Sequence, residues 1–358
     1  MRIAQLAPVV ESVPPTGYGG IELVVSLLTE ELVRRGHQVT LFASADSQTS
    51  ARLVSVIDGA LRKTGEIKHH SWPAYDMQNL FLVQDMQHEF DIVHNHTGWQ
   101  ALPYLQQLQI PSVTTNHNLI EPSALPIYRR HQDHAFVAIS AAYKRKNHGD
   151  ELNYVDVIHN GIDLAQYPLL PTVERKYLAF LGRLCQDKGI VQSIEMAQRL
   201  QMPLRIAGKV DPSDRDFFEA EVKPLLDLPF VSYIGEVEHA QKAELLKGAI
   251  ATLYPINFEE PFGLVMAESL ACGTPVVALD RGSVREVLTD GETAIIDSSI
   301  DRLVERFPEV KNLDKRTCRL RAESLFASPV MTERYEALYM RLIREAVMTR
   351  GSKTLVTT

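Results

Sequence analysis

Residues 177–200 read YLAFLGRLCQDKGIVQSIEMAQRL and carry the pattern that decides the fold. Tyr177–Gly182 is a short apolar run typical of a buried strand, and residues 189–200 place apolar side chains at helical spacing. Gly182 and Gly189 bound the turn between them, because glycine permits the tight backbone of such a connection. The stretch therefore predicts one strand–loop–helix unit of a parallel sheet.

The same alternation recurs on both sides of this unit. Helical patterns separate several of the short apolar runs, among them Tyr75–Phe90 and Trp99–Leu108. The predicted strands are Arg2–Pro8, Val39–Ala43, Asp91–His94, Pro111–Asn116, Ala135–Ile139 and Val155–Ile158 before it, and Leu204–Gly208, Val231–Gly235, Ala251–Pro255, Pro275–Leu279 and Thr293–Ile296 after it. Strands that alternate with helices favour parallel sheets covered on both faces. We therefore expect an α/β fold with two doubly wound, Rossmann-like domains facing a cleft.

A proline-containing segment without helical period, which includes Pro168 and Pro171, separates the two sets of strands. It predicts a first domain over residues 1–163 and a second over residues 164–331. The last long pattern is amphipathic and is assigned to the first domain as a helix over residues 332–350 that crosses back to it.

Composition excludes several classes of protein. The 358 residues are 45% hydrophobic and carry a formal net charge of −8. Such a chain is not expected to be disordered. It also lacks the overall positive charge that would attract nucleic acid or an anionic membrane. No apolar run approaches the about 18 residues of a membrane span. The three cysteines are scattered and form no CxxC pair, which suits a reducing cytoplasm.

Loops that follow strands are where ligands bind in such folds, so the glycine-rich stretch Gly17–Glu22 is the first candidate site. Gly19 and Gly20 allow a ligand close to the backbone, and the following helix start offers N–H groups to an anion. The stretch lacks the third glycine of a dinucleotide motif and the residues of a P-loop. A tight structural turn is the other interpretation, and the sequence leaves both open.

Two cations lie in the loop of the opening stretch. Arg183 and Lys188 are five positions apart between a predicted strand and helix. Cations that converge on such a loop can balance a diphosphate without a metal ion. The alternative is a pair of solvated surface charges.

Two carboxylates form the third candidate site. Glu260 precedes a predicted helix start at Gly263, Leu264 and Val265, and Glu268 lies two turns into that helix among apolar neighbours. A buried carboxylate needs a partner, and sugar or ribose hydroxyls are suitable ones. A glycosidase also uses two carboxylates, but the unequal placement of these two and the nearby cations argue against it.

Polar and aromatic residues of the first domain form the fourth candidate site. His94, His96 and His117 lie at or just after the ends of predicted strands, where they can bond to hydroxyls. Tyr18 and Trp99 can stack on a flat or sugar acceptor, although core packing is equally open for each. No HExxH motif or comparable ligand spacing occurs, so no metal site is expected.

Taken in order, these motifs resemble the retaining family-4 glycosyltransferases of GT-B architecture. The matching stretches are Gly19-Gly20-x-Glu22, Arg35-Gly36-His37-x-Val39, Asp91–His94, Asn160–Asp163, Gly182-Arg183 with Lys188-Gly189, Glu260–Leu264 with Glu268, and Cys272–Val276. Each motif alone is moderately specific, and their shared order is the stronger signal.

The resemblance implies how a nucleotide sugar would bind. It assigns the diphosphate to Arg183 and Lys188, and a sugar hydroxyl to Glu260. His117 would touch the donor sugar near the acceptor, and these four are the expected catalytic positions. The remaining donor contacts would come from the backbone of Gly19, Gly20, Gly263, Leu264 and Val265 and from the carboxylate of Glu268, which would bond the ribose.

The resemblance also implies the reaction. A hexose, with UDP-glucose as the favoured donor, would move to an acceptor hydroxyl with retention, without a metal ion or other cofactor. Residues Tyr18, His94, His96 and Trp99 are the expected acceptor contacts. The loop over residues 14–22 and the chain length resemble cyanobacterial transferases that glucosylate reduced pterins such as tetrahydrobiopterin.

Alternatives of other classes stay open. A GT-B sugar-nucleotide epimerase shares the architecture and needs no second substrate. A transferase acting on a lipid or polysaccharide would differ only in its acceptor. A binding protein would keep the donor site without turnover, which the four charged donor-site residues argue against. The oligomeric state and the role of His94 and His96 are not predicted.

Overall fold

The computed structural model describes residues 1–17, 19–65, 67–169 and 174–356. The chain divides into two compact units. Unit 1 comprises Met1–Gly161 with Ser328–Thr358, and unit 2 comprises Ile162–Ala327.

Unit 1 is built on a parallel sheet of seven described strands in the order β3-β2-β1-β4-β5-β6-β7. The strands are β1 (Arg2–Leu6), β2 (Gln38–Phe42), β3 (Arg52–Val54), β4 (Ile92–Asn95), β5 (Ser112–Asn116), β6 (Ala135–Ala138) and β7 (Tyr154–Val157). Strand order reverses at β1, which pairs with both β2 and β4. Ligand-binding loops collect at such a reversal. The edge strand β3 has no counterpart among the predicted strands, because three half-exposed residues give no apolar run.

The helices of unit 1 are α1 (Gly20–Arg34), α2 (Leu61–Thr64), α3 (Trp72–Asp85), α4 (Leu102–Leu105), α5 (Leu125–Arg130), α6 (Ala141–Lys146) and, after unit 2, α14 (Ser328–Val356). The helix predicted over Trp99–Leu108 forms instead as a 3₁₀ turn, Trp99–Ala101, followed by the single turn of α4.

The last helix belongs to the first unit, as predicted. Glu336 on α14 bonds Arg35 Nη1 at 3.0 Å and His37 Nε2 at 2.9 Å, just beyond α1. Tyr335 and Tyr339, one turn apart on α14, are fully buried. The amphipathic face therefore packs into unit 1.

Unit 2 is built on a parallel sheet of six described strands in the order β10-β9-β8-β11-β12-β13. The strands are β8 (Tyr177–Leu181), β9 (Leu204–Ala207), β10 (Val231–Tyr233), β11 (Ala249–Tyr254), β12 (Val276–Leu279) and β13 (Ala294–Asp297). The helices are α7 (Ile190–Leu200), α8 (Arg215–Phe217), α9 (His239–Lys247), α10 (Leu264–Ala271), α11 (Val284–Val287), α12 (Ile300–Arg306) and α13 (Lys315–Phe326).

The opening stretch takes the predicted form. All five residues of β8 are buried, and α7 begins at Ile190 directly after the loop. A strand buried on both faces requires helices on both sides of its sheet. The prediction of two Rossmann-like parallel sheets is therefore confirmed. None of the helices in the described part of the chain is long and apolar enough to cross a membrane.

Candidate functional site

The site in unit 2 starts at the loop between β8 and α7. Gly189 precedes α7 with a φ of +72°, and a Cβ there would lie 2.0 Å from the carbonyl oxygen of Pro255. Only glycine fits this left-handed, closely packed position. Lys188 immediately precedes this glycine. Its Nζ donates to Glu260 Oε2 at 2.7 Å and lies 4.5 Å from the centre of the Phe258 ring.

Glu260 is held by two donors at one oxygen. Besides Lys188, the Tyr254 hydroxyl donates to Oε2 of Glu260 at 2.5 Å. The side chain is nearly buried, at 7% exposure. Bonds to an ionised carboxylate are stronger than neutral ones and fix its orientation. Glu260 is therefore a pre-set acceptor, suited to a ligand hydroxyl.

The start of α10 lies next to Glu260. Gly263 has a φ of +78°, and a Cβ there would lie 2.6 Å from Met266 Cε and 2.7 Å from the Tyr254 hydroxyl. The first N–H groups of a helix, here those of Leu264 and Val265, have no intrahelical acceptor. Together with the helix dipole they favour an anion.

Glu268 lies inside α10 at 2% exposure and has protein partners. The Tyr167 hydroxyl donates to its Oε1 at 2.8 Å, and Lys242 Nζ lies 3.8 Å away. Burial, followed by this carboxylate, holds the pKa of Tyr167 well above its usual range. The sequence indicated that Glu268 needs a partner, and the structure supplies one from the chain itself.

The two cations of the loop engage different carboxylates. Arg183 Nε lies 3.0 Å from Asp214 Oδ2, whereas Lys188 pairs with Glu260. The structure therefore places both cations beside the same strand-to-helix turn but gives each its own acidic partner. An incoming diphosphate would compete with those carboxylates for both cations.

In unit 1, the glycine-rich loop leads into α1, which starts at Gly20. A Cβ at Gly19 would lie 2.7 Å from Pro15 Cβ, so the loop is tightly packed. Glu22 in the first turn is 5% exposed, and burial raises the pKa of its carboxyl to about 7. Tyr18, the predicted acceptor contact in this loop, lies outside the described residues.

The three predicted histidines are brought together in unit 1. His96 Nδ1 lies 3.0 Å from His117 Nε2, and the rings of His94 and His96 have centroids 3.9 Å apart. Burial lowers the pKa of His94 and His96 well below the usual value and that of His117 to about 4. The cluster is therefore neutral at pH 7.

Partners of this cluster come from α14, β1 and β5, where Thr115 Oγ1 lies 2.7 Å from His94 Nε2. The Tyr339 hydroxyl lies 2.6 Å from His94 Nδ1, and Gln5 Oε1 lies 2.9 Å from His96 Nε2. Trp99, in the turn after β4, is 40% exposed, so its ring is not core.

Sequence reasoning missed several site residues. Tyr167 and Tyr254 hold the two glutamates, yet neither stands in a motif. Tyr339 lies on what the sequence shows only as an apolar helix face. Gln5 carries a usable signal, since a polar residue inside a buried strand needs a hydrogen-bond partner. No group of three histidine, cysteine or acidic residues suited to a metal ion occurs within the described ranges.

Comparison with known proteins identifies both units. Residues 18–166 match the profile of Glycosyltransferase Family 4, and residues 168–324 match that of Glycosyl transferases group 1. The chain therefore carries a Family 4 glycosyltransferase domain followed by a group 1 glycosyltransferase domain, on the GT-B fold.

Individual relatives are more distant. Over 155 residues, 41% of this chain, it is 32% identical to the glycogen synthase of Mycobacterium tuberculosis, but this match spans only 37% of that relative's length. It is 26% identical over 339 residues to the D-inositol 3-phosphate glycosyltransferase of Mycolicibacterium smegmatis, covering 79% of this chain and 76% of that protein. The crystal structure of Anabaena HepE in complex with UDP and glucose superposes with a TM-score of 0.73 at 17% identity, covering 95% and 100% of the two chains.

Proposed function

We propose that the protein is a retaining hexosyltransferase that moves glucose from UDP-glucose to a hydroxyl of a small-molecule acceptor. The observation that carries the proposal is the anchored pair of Lys188 and Glu260 beside the start of α10. This arrangement offers a cation, helix N–H groups and a hydroxyl-binding carboxylate within one loop region. A sugar diphosphate needs all three.

Unit 2 supplies the donor contacts in this proposal. Arg183 and Lys188 leave Asp214 and Glu260 for the diphosphate, and the N–H groups of Leu264 and Val265 add to them. Glu268 takes the ribose hydroxyls while Tyr167 keeps its carboxylate oriented. Charge of this kind is preorganised and stabilises the leaving diphosphate without a metal ion.

Unit 1 supplies the acceptor contacts. Trp99 lies in the turn after β4 and is the exposed acceptor contact, whereas both ring nitrogens of His94 and of His96 bond protein groups that hold His117 in place. The backbone of Gly19 and Gly20 contributes to the donor in this proposal. His117 touches the transferred sugar, and Trp99 stacks on the acceptor. A flat acceptor such as a reduced pterin fits an exposed indole.

Relatives support parts of this proposal. HepE was crystallised with UDP and glucose, which favours the donor. The relative from Mycolicibacterium smegmatis is named for D-inositol 3-phosphate, a small molecule, whereas glycogen is a polymer. The acceptor therefore has to be chosen by experiment among these classes.

The test incubates purified protein with UDP-, ADP- and GDP-glucose, each with a reduced pterin, D-inositol 3-phosphate, glycogen or a lipid extract. We expect UDP release and an α-linked product only with a small-molecule acceptor, at a rate unchanged by a chelator. Isomerised sugar nucleotide without acceptor would identify an epimerase instead. The Glu260→Gln variant is the matched control, since it keeps the side-chain shape and removes the charge.

A further inference from the structure

A chain of hydrogen bonds connects α14 with His117 through the interior of unit 1. Gln5 Nε2 donates to the Tyr339 hydroxyl at 3.1 Å, and Gln5 Oε1 lies 2.9 Å from His96 Nε2. His96 Nδ1 lies 3.0 Å from His117 Nε2. We call Tyr339, Gln5, His96 and His117 the relay. Its first three members are 0–3% exposed, and His117 is 9% exposed.

The relay fixes where each imidazole carries its proton. Both rings are neutral, because burial lowers the pKa of His96 well below the usual value and that of His117 to about 4. Gln5 Oε1 can only accept, so the proton of His96 is on Nε2. His96 Nδ1 can then only accept, so the proton of His117 is on its Nε2.

The other nitrogen of His117 consequently holds a lone pair. Nδ1 has no hydrogen-bond partner among the described residues, and it is not one of their fully buried unpaired atoms. It is therefore the end of the relay that a ligand can reach.

Tyr339 and Gln5 together set the direction of the relay. An amide placed the other way would donate to His96, move each proton to the opposite nitrogen and turn His117 Nδ1 into a donor. In the structure the amide nitrogen of Gln5 donates to the Tyr339 oxygen, which also lies 2.6 Å from His94 Nδ1. Both ends of the Gln5 amide are thereby occupied.

We propose that Gln5 and Tyr339 are positioning residues that hold His117 as the Nε2–H tautomer, so that Nδ1 accepts a hydrogen bond from a hydroxyl of the transferred sugar. The proposal rests on the proposed function, in which His117 contacts that sugar. It adds a specificity rule, because the sugar position facing His117 must carry a hydrogen-bond donor. A deoxy or deoxyfluoro sugar at that position cannot donate and is discriminated against.

The first test reads the tautomer directly. Nitrogen-15 NMR of protein labelled at histidine, recorded without substrate at pH 7, should show His117 protonated at Nε2 only. Gln5→Met and Tyr339→Phe should each give a mixture of both tautomers. Tyr104→Phe is the matched control, because Tyr104 lies in the same unit, packs edge-on against Phe81 and is not a member of the relay. It should leave the His117 signals unchanged.

The second test measures sugar discrimination. The wild type should lose at least about 10-fold in kcat/KM for one member of a deoxy and deoxyfluoro UDP-glucose series, the loss of one good hydrogen bond. His117→Ala should abolish this penalty, and Gln5→Met and Tyr339→Phe should reduce it, while Tyr104→Phe retains it. Circular dichroism confirms that each variant is folded.

Two results would overturn the inference. One is a wild-type His117 protonated at Nδ1, and the other is an equal change of tautomer in Tyr104→Phe and Tyr339→Phe. Absence of turnover with every nucleotide sugar rejects the proposed function instead. The NMR experiment needs no substrate and still decides the relay in that case.

Discussion

Lys188 Nζ donates to Glu260 Oε2 across 2.7 Å, although 72 positions separate the two residues in the chain. The pair joins the loop before α7 to the loop before α10, the two loops at which the donor is proposed to bind. Each side chain is the main electrostatic partner of the other until a ligand intervenes, because no other ion pair within the described ranges brings an opposite charge closer to either.

Loss of the cations at this site should lower turnover strongly. Lys188→Ala and Arg183→Ala are each expected to reduce kcat/KM by about 100-fold or more, the cost of removing one preorganised donor to developing charge. Initial rates of UDP release measure this effect. Lys223→Ala is the matched control, because Lys223 forms an exposed pair with Glu219 in the same unit. Near-normal rates in both site variants would contradict the assignment of the donor site.

Gly263 should tolerate no side chain. Gly263→Ala is expected to weaken UDP binding at least about 10-fold and to destabilise unit 2 by about 1–3 kcal/mol, since the added Cβ meets Met266 and Tyr254 and the backbone is strained. Isothermal calorimetry and chemical denaturation measure the two effects.

Gly291→Ala is the control that separates the backbone strain of a positive φ from the steric contacts of the added Cβ. Gly291 has nearly the same φ, +77°, with nothing within 4 Å of its added Cβ. The control should therefore show only the backbone cost and normal UDP binding. Equal loss of binding in both variants would refute a local role for Gly263.

Glu22 should make unit 1 less stable as the pH rises. Its pKa is about 7 in the folded chain against 4.5 for a solvated glutamate, so between those values the folded state keeps a proton that the unfolded state has lost. The contribution of Glu22 to the free energy of unfolding should therefore fall by about 3 kcal/mol from pH 4.5 to 7. Glu22→Gln removes this contribution, so the difference between the two proteins reports it. Urea titrations at pH 4.5, 5.5 and 7 compare the two proteins, and parallel profiles would reject the raised pKa.

The buried histidines should make the folded chain less stable as the pH falls, which is opposite to the effect of Glu22. His117 has a pKa of about 4 in the folded state, below the usual 6.5, so the unfolded state binds more protons as the pH falls between them. Stability from the neutral cluster is complete above pH 6.5 and is lost toward pH 4. In Glu22→Gln this slope is no longer offset, so unfolding should become steeply acid-sensitive. A flat profile from pH 6.5 to 4 in that variant would contradict neutral burial of the cluster.

Much of the fold follows from local pattern. The apolar run of β8 and the helical spacing after Gly189 are visible in the sequence, as is the periodicity of α14. β3 was not predicted, because its pairing with β2 depends on tertiary contacts rather than on an apolar run. Trp99–Leu108 has helical spacing, yet Pro103 stands in the first turn of α4 and prevents an α-helix from beginning as early as Trp99.

The candidate site was predicted less completely. Charged residues in motifs, such as Lys188 and Glu260, are recognisable from type and spacing. Tyr254 is not, because its role is to donate to a carboxylate that the fold brings close. Tyr339 lies 334 positions from Gln5, and no local pattern reports so distant a contact. Partners of this kind are set by topology alone.

The chain order of the last helix has a consequence for synthesis. Residues 1–161 leave the ribosome first, then all of unit 2, and only then the segment that forms α14. Since domains form as their segments emerge, unit 2 can fold while the first sheet still lacks Tyr335 and Tyr339 beside His94. A newly made chain would thus complete unit 2 before His94 acquires Tyr339 as a hydrogen-bond partner. The unit proposed to bind the donor is therefore finished before the unit that precedes it in the chain.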